Sequence, residues 1–134
     1  MRSVISRTFA LFAAAVLAFG SSFAASLEPQ SSSQSGVTVK VTPPRSVAGA
    51  EWEFAVVFDT HSQDLKDDLM KSAVLVVDDG APLAPSAWQG DAPGGHHRKA
   101  VLRFKAPAAS PAKLELRLQR TGESGPRTFR WQLR

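Results

Sequence analysis

The chain has no cysteine and no tyrosine among its 134 residues, and only two methionines and three histidines. Each shortage removes a class of protein. Without cysteine there is no disulfide framework, no thiolate zinc or iron–sulfur site and no cysteine nucleophile. Lipid attachment through cysteine is excluded as well. Met70 is the one methionine beyond the start, and a single thioether does not make the methionine cluster that suits Cu(I). No G-x-S-x-G element is present. Ser62 beside His61 is adjacency in sequence, which is not the geometry of a catalytic triad. Asp64, Asp67 and Asp68 lack the glycine and the closing glutamate of a calcium loop; they read as a solvated turn near Lys66 and Lys71. No catalytic residue is assigned, and a non-enzymatic protein is expected.

What is present starts with an address. Arg2 and Arg7 form a positive n-region, Thr8 to Gly20 is an apolar run, and Ser22 and Ala24 supply small residues before a cut. That order is the pattern of a secretory signal peptide over residues 1–24. The rival reading, a membrane anchor, needs enough apolar chain to span about 30 Å of hydrocarbon, and this core is short for that. The mature chain is expected to start at Ala25, in the periplasm or outside the cell, with no transmembrane segment. Residues 25–36 are polar and rich in Ser and Gln, which reads as a flexible leader.

From Val37 onward the pattern has period two. Val37, Val39 and Val41 alternate with Thr38, Lys40 and Thr42; Trp52, Phe54, Val56 and Phe58 alternate with Glu51, Glu53, Ala55, Val57 and Asp59. Ala100, Leu102 and Phe104 repeat the pattern, as do Leu114, Leu116 and Leu118, then Phe129, Trp131 and Leu133. Alternation puts one set in the core and the other in water, as in a half-buried strand. Ala73 to Val77 is continuously apolar, more like a strand covered on both faces. Proline and glycine punctuate these runs at Pro43–Pro44, Asp79–Gly80, Gly94–Gly95, Pro107, Pro111 and Gly125–Pro126. Only Gln63 to Lys71 has helical spacing, enough for one or two turns in a crossover loop. The expected fold is all-β: an immunoglobulin-like antiparallel β-sandwich of about seven strands over residues 37–134. Trp52 and Trp131 would fill its core.

The histidines stand at strand–loop junctions, His61 after one strand, His96 and His97 before another. Junctions are where sandwiches carry functional side chains. If the two junctions share an end, His61, His96 and His97 with Asp59 could hold Zn²⁺ or Cu²⁺. Adjacent strand residues point to opposite faces, so His96 and His97 converge only if Gly94–Gly95 bends the chain. The competing readings are a polar network that locks two loops together and unrelated solvated side chains. Ser62, Asp64, Trp88 and Arg98 would be members of the binding site or of that network.

The segments DTHSQDL (59–65), Trp88–Gln89–Gly90 and GGHHRKAVLRF (94–104) carry a resemblance. They look like a family of small uncharacterised secreted domains with D-T-H-S, tryptophan and G-G-H-H elements. The resemblance covers roughly residues 50–105 and implies that Asp59, His61, Ser62, Trp88, His96 and His97 belong to one site. It implies no activity.

The formal charge of +4 includes Arg2 and Arg7, which would leave with the signal peptide. The rest is uneven: residues 25–97 are acidic on balance and residues 98–134 basic. Arg103, Lys105, Lys113, Arg117, Arg130 and Arg134 could form a stripe that meets anionic lipid, glycan or an acidic envelope partner. The alternative is that they lie beside acidic residues in ordinary surface pairs. Nucleic acid is not an expected partner. Two functions remain open: an exported module that binds a divalent metal through loop histidines, and a protein-interaction or envelope-associated module in which those histidines are structural.

Overall fold

The computed structural model describes residues 27–107 and 110–134; the signal peptide expected at residues 1–24 lies outside them. The strands are β1 (Gln30–Gln34), β2 (Val37–Thr42), β3 (Glu51–Thr60), β4 (Ala73–Val77), β5 (Ala87–Gly90), β6 (His97–Lys105), β7 (Lys113–Leu118) and β8 (Arg127–Gln132), with a single helical turn α1 (Leu69–Ser72) before β4. They form two antiparallel sheets, ordered β1-β2-β3-β6-β5 and β4-β7-β8. Without β1, this is the A-B-E-D sheet facing the C-F-G sheet of a constant-type immunoglobulin sandwich.

The alternating residues do what their period requires. Val37, Val39, Val41, Trp52, Phe54, Val56, Phe58, Leu102 and Phe104 from the first sheet face Leu75, Leu114, Leu116, Leu118, Phe129 and Trp131 from the second, all buried. Phe54 sits at the centre. Its ring meets Phe104 edge-on at 5.7 Å and Trp131 at 5.7 Å with a 48° tilt. Such pairs add about 0.5–1.5 kcal/mol beyond the area they bury. The Trp52 indole donates to the Val47 carbonyl at 3.2 Å and the Trp131 indole to the Glu28 carbonyl at 2.7 Å. Leu65 and Leu69 plug the crossover end of the core. The Asp68 carboxylate caps α1 by accepting from the Met70 amide at 3.0 Å. Among the described residues, no helix is long and apolar enough to cross a membrane.

The expected flexible leader needs correction. Gln30–Gln34 is a full edge strand in register with β2, from Gln30 opposite Val41 to Gln34 opposite Val37. A Ser35–Gly36 turn joins them, with φ of 51° and 74°; paired positive φ values suit a two-residue hairpin. No hydrophobic contrast marks QSSSQ as a strand, because its hold comes from the main chain. Arg127 supplies much of it. Its Nη1 donates to the carbonyls of Ser32 at 2.8 Å and Val37 at 2.9 Å, and its Nη2 to that of Gln34 at 2.9 Å. The Gln30 amide accepts from the Arg130 N–H at 3.2 Å and donates to the Arg130 carbonyl at 2.5 Å. The extra strand thus closes one side of the sandwich against β8.

Candidate functional site

The histidine end is built by the last residues of β3 and the first of β6, which pair Asp59 with His97. Beyond that pair the two loops are laced through their main chains. Thr60 N–H donates to the His96 carbonyl at 2.9 Å, Leu65 N–H to Gly95 at 3.0 Å, and Gly94 N–H to Leu65 at 2.8 Å. The Asp64 carboxylate accepts from the Gly95 N–H at 2.6 Å. Gly94 and Gly95 take φ of 118° and 77°, values that favour glycine. A bond from Lys66 first, then the Gly95 N–H, holds the Asp64 carboxyl below its usual range.

The imidazoles do not share this lacing. All three are exposed. His97 bonds through Nδ1 to the Asp59 carboxylate on the outward face of the first sheet. His96 contributes its carbonyl to the Thr60 pair, and Thr60 points inward, buried. His96 lies in the bend before β6, whereas His97 opens the strand. Among the described residues, no group of three or more His, Asp or Glu side chains is placed to hold a metal ion. Asp59 and His97 meet; His61 and His96 do not join them in a ligand set.

The other expected site residues divide in the same way. Ser62 donates its amide to the Thr60 hydroxyl at 3.3 Å, a turn contact. Arg98 is only 1% exposed. Its Nη1 donates to the Asp67 carbonyl at 2.7 Å and its Nε to the Asp91 carbonyl at 3.2 Å. Its guanidinium lies 5.4 Å from the centre of the Trp88 ring, a cation–π distance. Arg98 and Trp88 are a strut that ties β5, β6 and the crossover loop together.

A second polar cluster escaped the sequence reading. Asp67, read as solvated, is buried and pairs with Arg120 at 3.2 Å. Arg120 also meets Glu123 at 3.5 Å, and Glu123 meets Arg127 at 2.7 Å. The signal was parity: Arg127 shares the inward face with Phe129 and Trp131. Every buried side-chain nitrogen and oxygen among the described residues has a hydrogen-bond partner.

The basic stripe also divides. Arg103 lies on the first sheet and pairs with Glu53 at 2.8 Å. Arg117 and Arg130 lie on the second and share Glu115, at 2.5 Å and 2.9 Å. Lys113 pairs with Asp79, and Arg134 donates to the Ser110 carbonyl at 3.0 Å. Arg103, Arg117, Arg130 and Lys113 are thus in surface ion pairs, whereas Lys105 has no acidic partner among the ion pairs of the described residues. Glu115 is held below the usual carboxylate range, chiefly by Arg117 and then by Arg130.

A different surface stays open. On the outward face of the first sheet, the register sets Lys40 beside Val57 and Val57 beside Lys99. The next row is Thr42, Ala55, Val101 and Gln89. Ala55, Val57 and Val101 are half-buried, whereas Lys40 and Lys99 are exposed. Neither lysine has an acidic partner among the ion pairs of the described residues. Two depressions share Ala55 and Val101. One, of about 310 Å³, reaches Val57, Gly90, Asp91 and Lys99; the other, of about 470 Å³, reaches Pro43, Pro44, Arg45, Glu51 and Glu53. They adjoin along the sheet; the floor is apolar at the Val57–Val101 end and mixed, with Arg45, Glu51 and Glu53, at the Pro43 end.

Fold and surface define an immunoglobulin-type β-sandwich with a laced loop end and an open sheet face. No family model matches the chain, and neither curated proteins nor solved structures give a match.

Proposed function

We propose that the protein is an exported, non-catalytic binding module that docks an acidic protein partner on the outward face of its first sheet. One observation carries this reading: the apolar strip Ala55–Val57–Val101 is flanked by two lysines without acidic partners. An extended segment with apolar residues between carboxylates complements that row. The lysines steer and orient it; the apolar floor supplies burial. The n-region, apolar core and small residues of positions 1–24 support export.

The test is fluorescence anisotropy with the full, exported chain. The probes are a labelled decapeptide of alternating Glu and Val and its Lys–Val counterpart. The Glu–Val peptide should bind, more weakly as salt rises, and the K40E/K99E double variant should reverse the preference. Equal binding of both peptides, or an unaltered preference in the variant, contradicts the proposal.

A second reading, binding of Zn²⁺ or Cu²⁺, is favoured by one contact. Asp59 engages Nδ1 of His97, the carboxylate support that metal-ligating histidines commonly have. It predicts micromolar Zn²⁺ or Cu²⁺ affinity by calorimetry that H97A abolishes; affinity retained in H61A/H96A/H97A ends it.

A further inference from the structure

We infer that β1 is an exchangeable strand, and that its place beside β2 and β8 accepts β1 from a second copy of this chain. Three observations lead there. First, β1 is polar on both faces, and none of its side chains belongs to the buried core. Strands of this kind are weakly specified and prone to exchange. Leu27, partly buried against the core, travels with β1, as does the exposed Pro29.

Second, most of the hold on β1 does not depend on its sequence. Arg127 reads the carbonyls of Ser32 and Gln34, and Trp131 that of Glu28. Any extended chain offers such carbonyls. The remaining contacts choose the occupant. The Gln30 amide fits the main chain of Arg130, and the Gln34 amide donates to Glu123 at 2.8 Å. A strand from another copy brings both glutamines in the same register.

Third, the hinge is short and strained. Ser35 takes φ of 51° although it carries a side chain, and Gly36 follows at 74°. Short strained hinges invite swapping. If this turn opens, Gln30 to Thr42 becomes one continuous strand and the left-handed conformations are relieved. Among the described residues, β1 joins the rest of the sandwich through the Ser35–Gly36 turn alone, and a strand tethered in this way can be traded between two copies. Each slot then regains its strand contacts, while the turn carbonyls of Gly36 and Ser35 give up their bonds from the Thr60 hydroxyl and the Gln63 amide.

The chain has no cysteine, so an introduced pair reports cleanly. Ser33 and Thr38 are in register, with their hydroxyls 2.8 Å apart. The full chain carrying S33C/T38C is refolded at about 20 µM and about 1 mM, concentrations chosen to separate mass-action states. Monomer and dimer pools are separated by size exclusion with light scattering, then oxidised and run on a non-reducing gel. The dimer pool should grow with concentration and give a covalently linked dimer. G36V, whose Cβ at positive φ would stand 3.2 Å from the Ser62 hydroxyl, should raise the dimer fraction roughly threefold or more. Absence of dimer at both concentrations, or a dimer pool that yields only internally linked single chains, overturns the inference. If G36V does not fold, the cross-link with the native hinge decides alone.

Discussion

Arg127 donates to the main-chain carbonyl of Val37 at 2.9 Å, across 90 positions of sequence. The same guanidinium meets Ser32, Gln34 and Glu123. One side chain thus joins both strands of the first hairpin to the second sheet. Removing it leaves a buried carboxylate and several carbonyls without their donor. R127M should cost about 3–5 kcal/mol in urea unfolding of the full chain, the range for breaking a buried pair at one end. R127K should recover part of the loss, because one ammonium cannot span all four acceptors.

Stability should fall in acid. Glu123 is held below its ordinary value of 4.5, first by the Arg127 hydrogen bond, then by those from Gln34 and the charge of Arg120. Glu115 is depressed in the same direction. A depressed folded value means that both carboxylates contribute fully above 4.5, and that this contribution is lost as pH falls from there through the folded values. The urea midpoint should be level near neutrality and drop below about pH 4.5. E123Q should be less stable at neutral pH and show a shallower acid slope.

The loop end should depend on glycine rather than on imidazole. H61A and H96A remove exposed side chains and should change stability by no more than about 0.5 kcal/mol. H97A breaks a half-exposed pair with Asp59, worth about 1 kcal/mol or less. G95A forces a Cβ into φ of 77° and should cost about 1–2 kcal/mol. Thermal unfolding of the four variants checks the order.

The docking face predicts its own selectivity. V57D places a charge on the apolar floor between Lys40 and Lys99. It should abolish binding of the Glu–Val decapeptide while the far-UV spectrum stays that of the parent. E115Q, on the opposite sheet, should leave binding unchanged.

Much of the sandwich was legible because its strands bury one face. Trp52, Phe54, Val56 and Phe58 announce β3 by parity alone, and Leu114, Leu116 and Leu118 do the same for β7. β1 has no apolar parity, so its pairing was hidden; the Ser35–Gly36 dipeptide, a turn signal, was its only trace. The Asp59–His97 contact follows from the two junctions lying at one end. His96 falls in the bend after Gly95, outside β6, and does not join the Asp59–His97 pair in a ligand set. Arg127 was obscured by its chemistry: charge suggests solvent, while its position beside Phe129 and Trp131 puts it inside.

The most direct test of the docking face is amide chemical-shift mapping of the ¹⁵N-labelled full chain with the Glu–Val decapeptide. The account predicts shifts concentrated at Lys40, Ala55, Val57, Lys99 and Val101, with His61 and His96 unmoved. Shifts confined to residues 61–66 and 94–97, or none at saturating peptide, would contradict it.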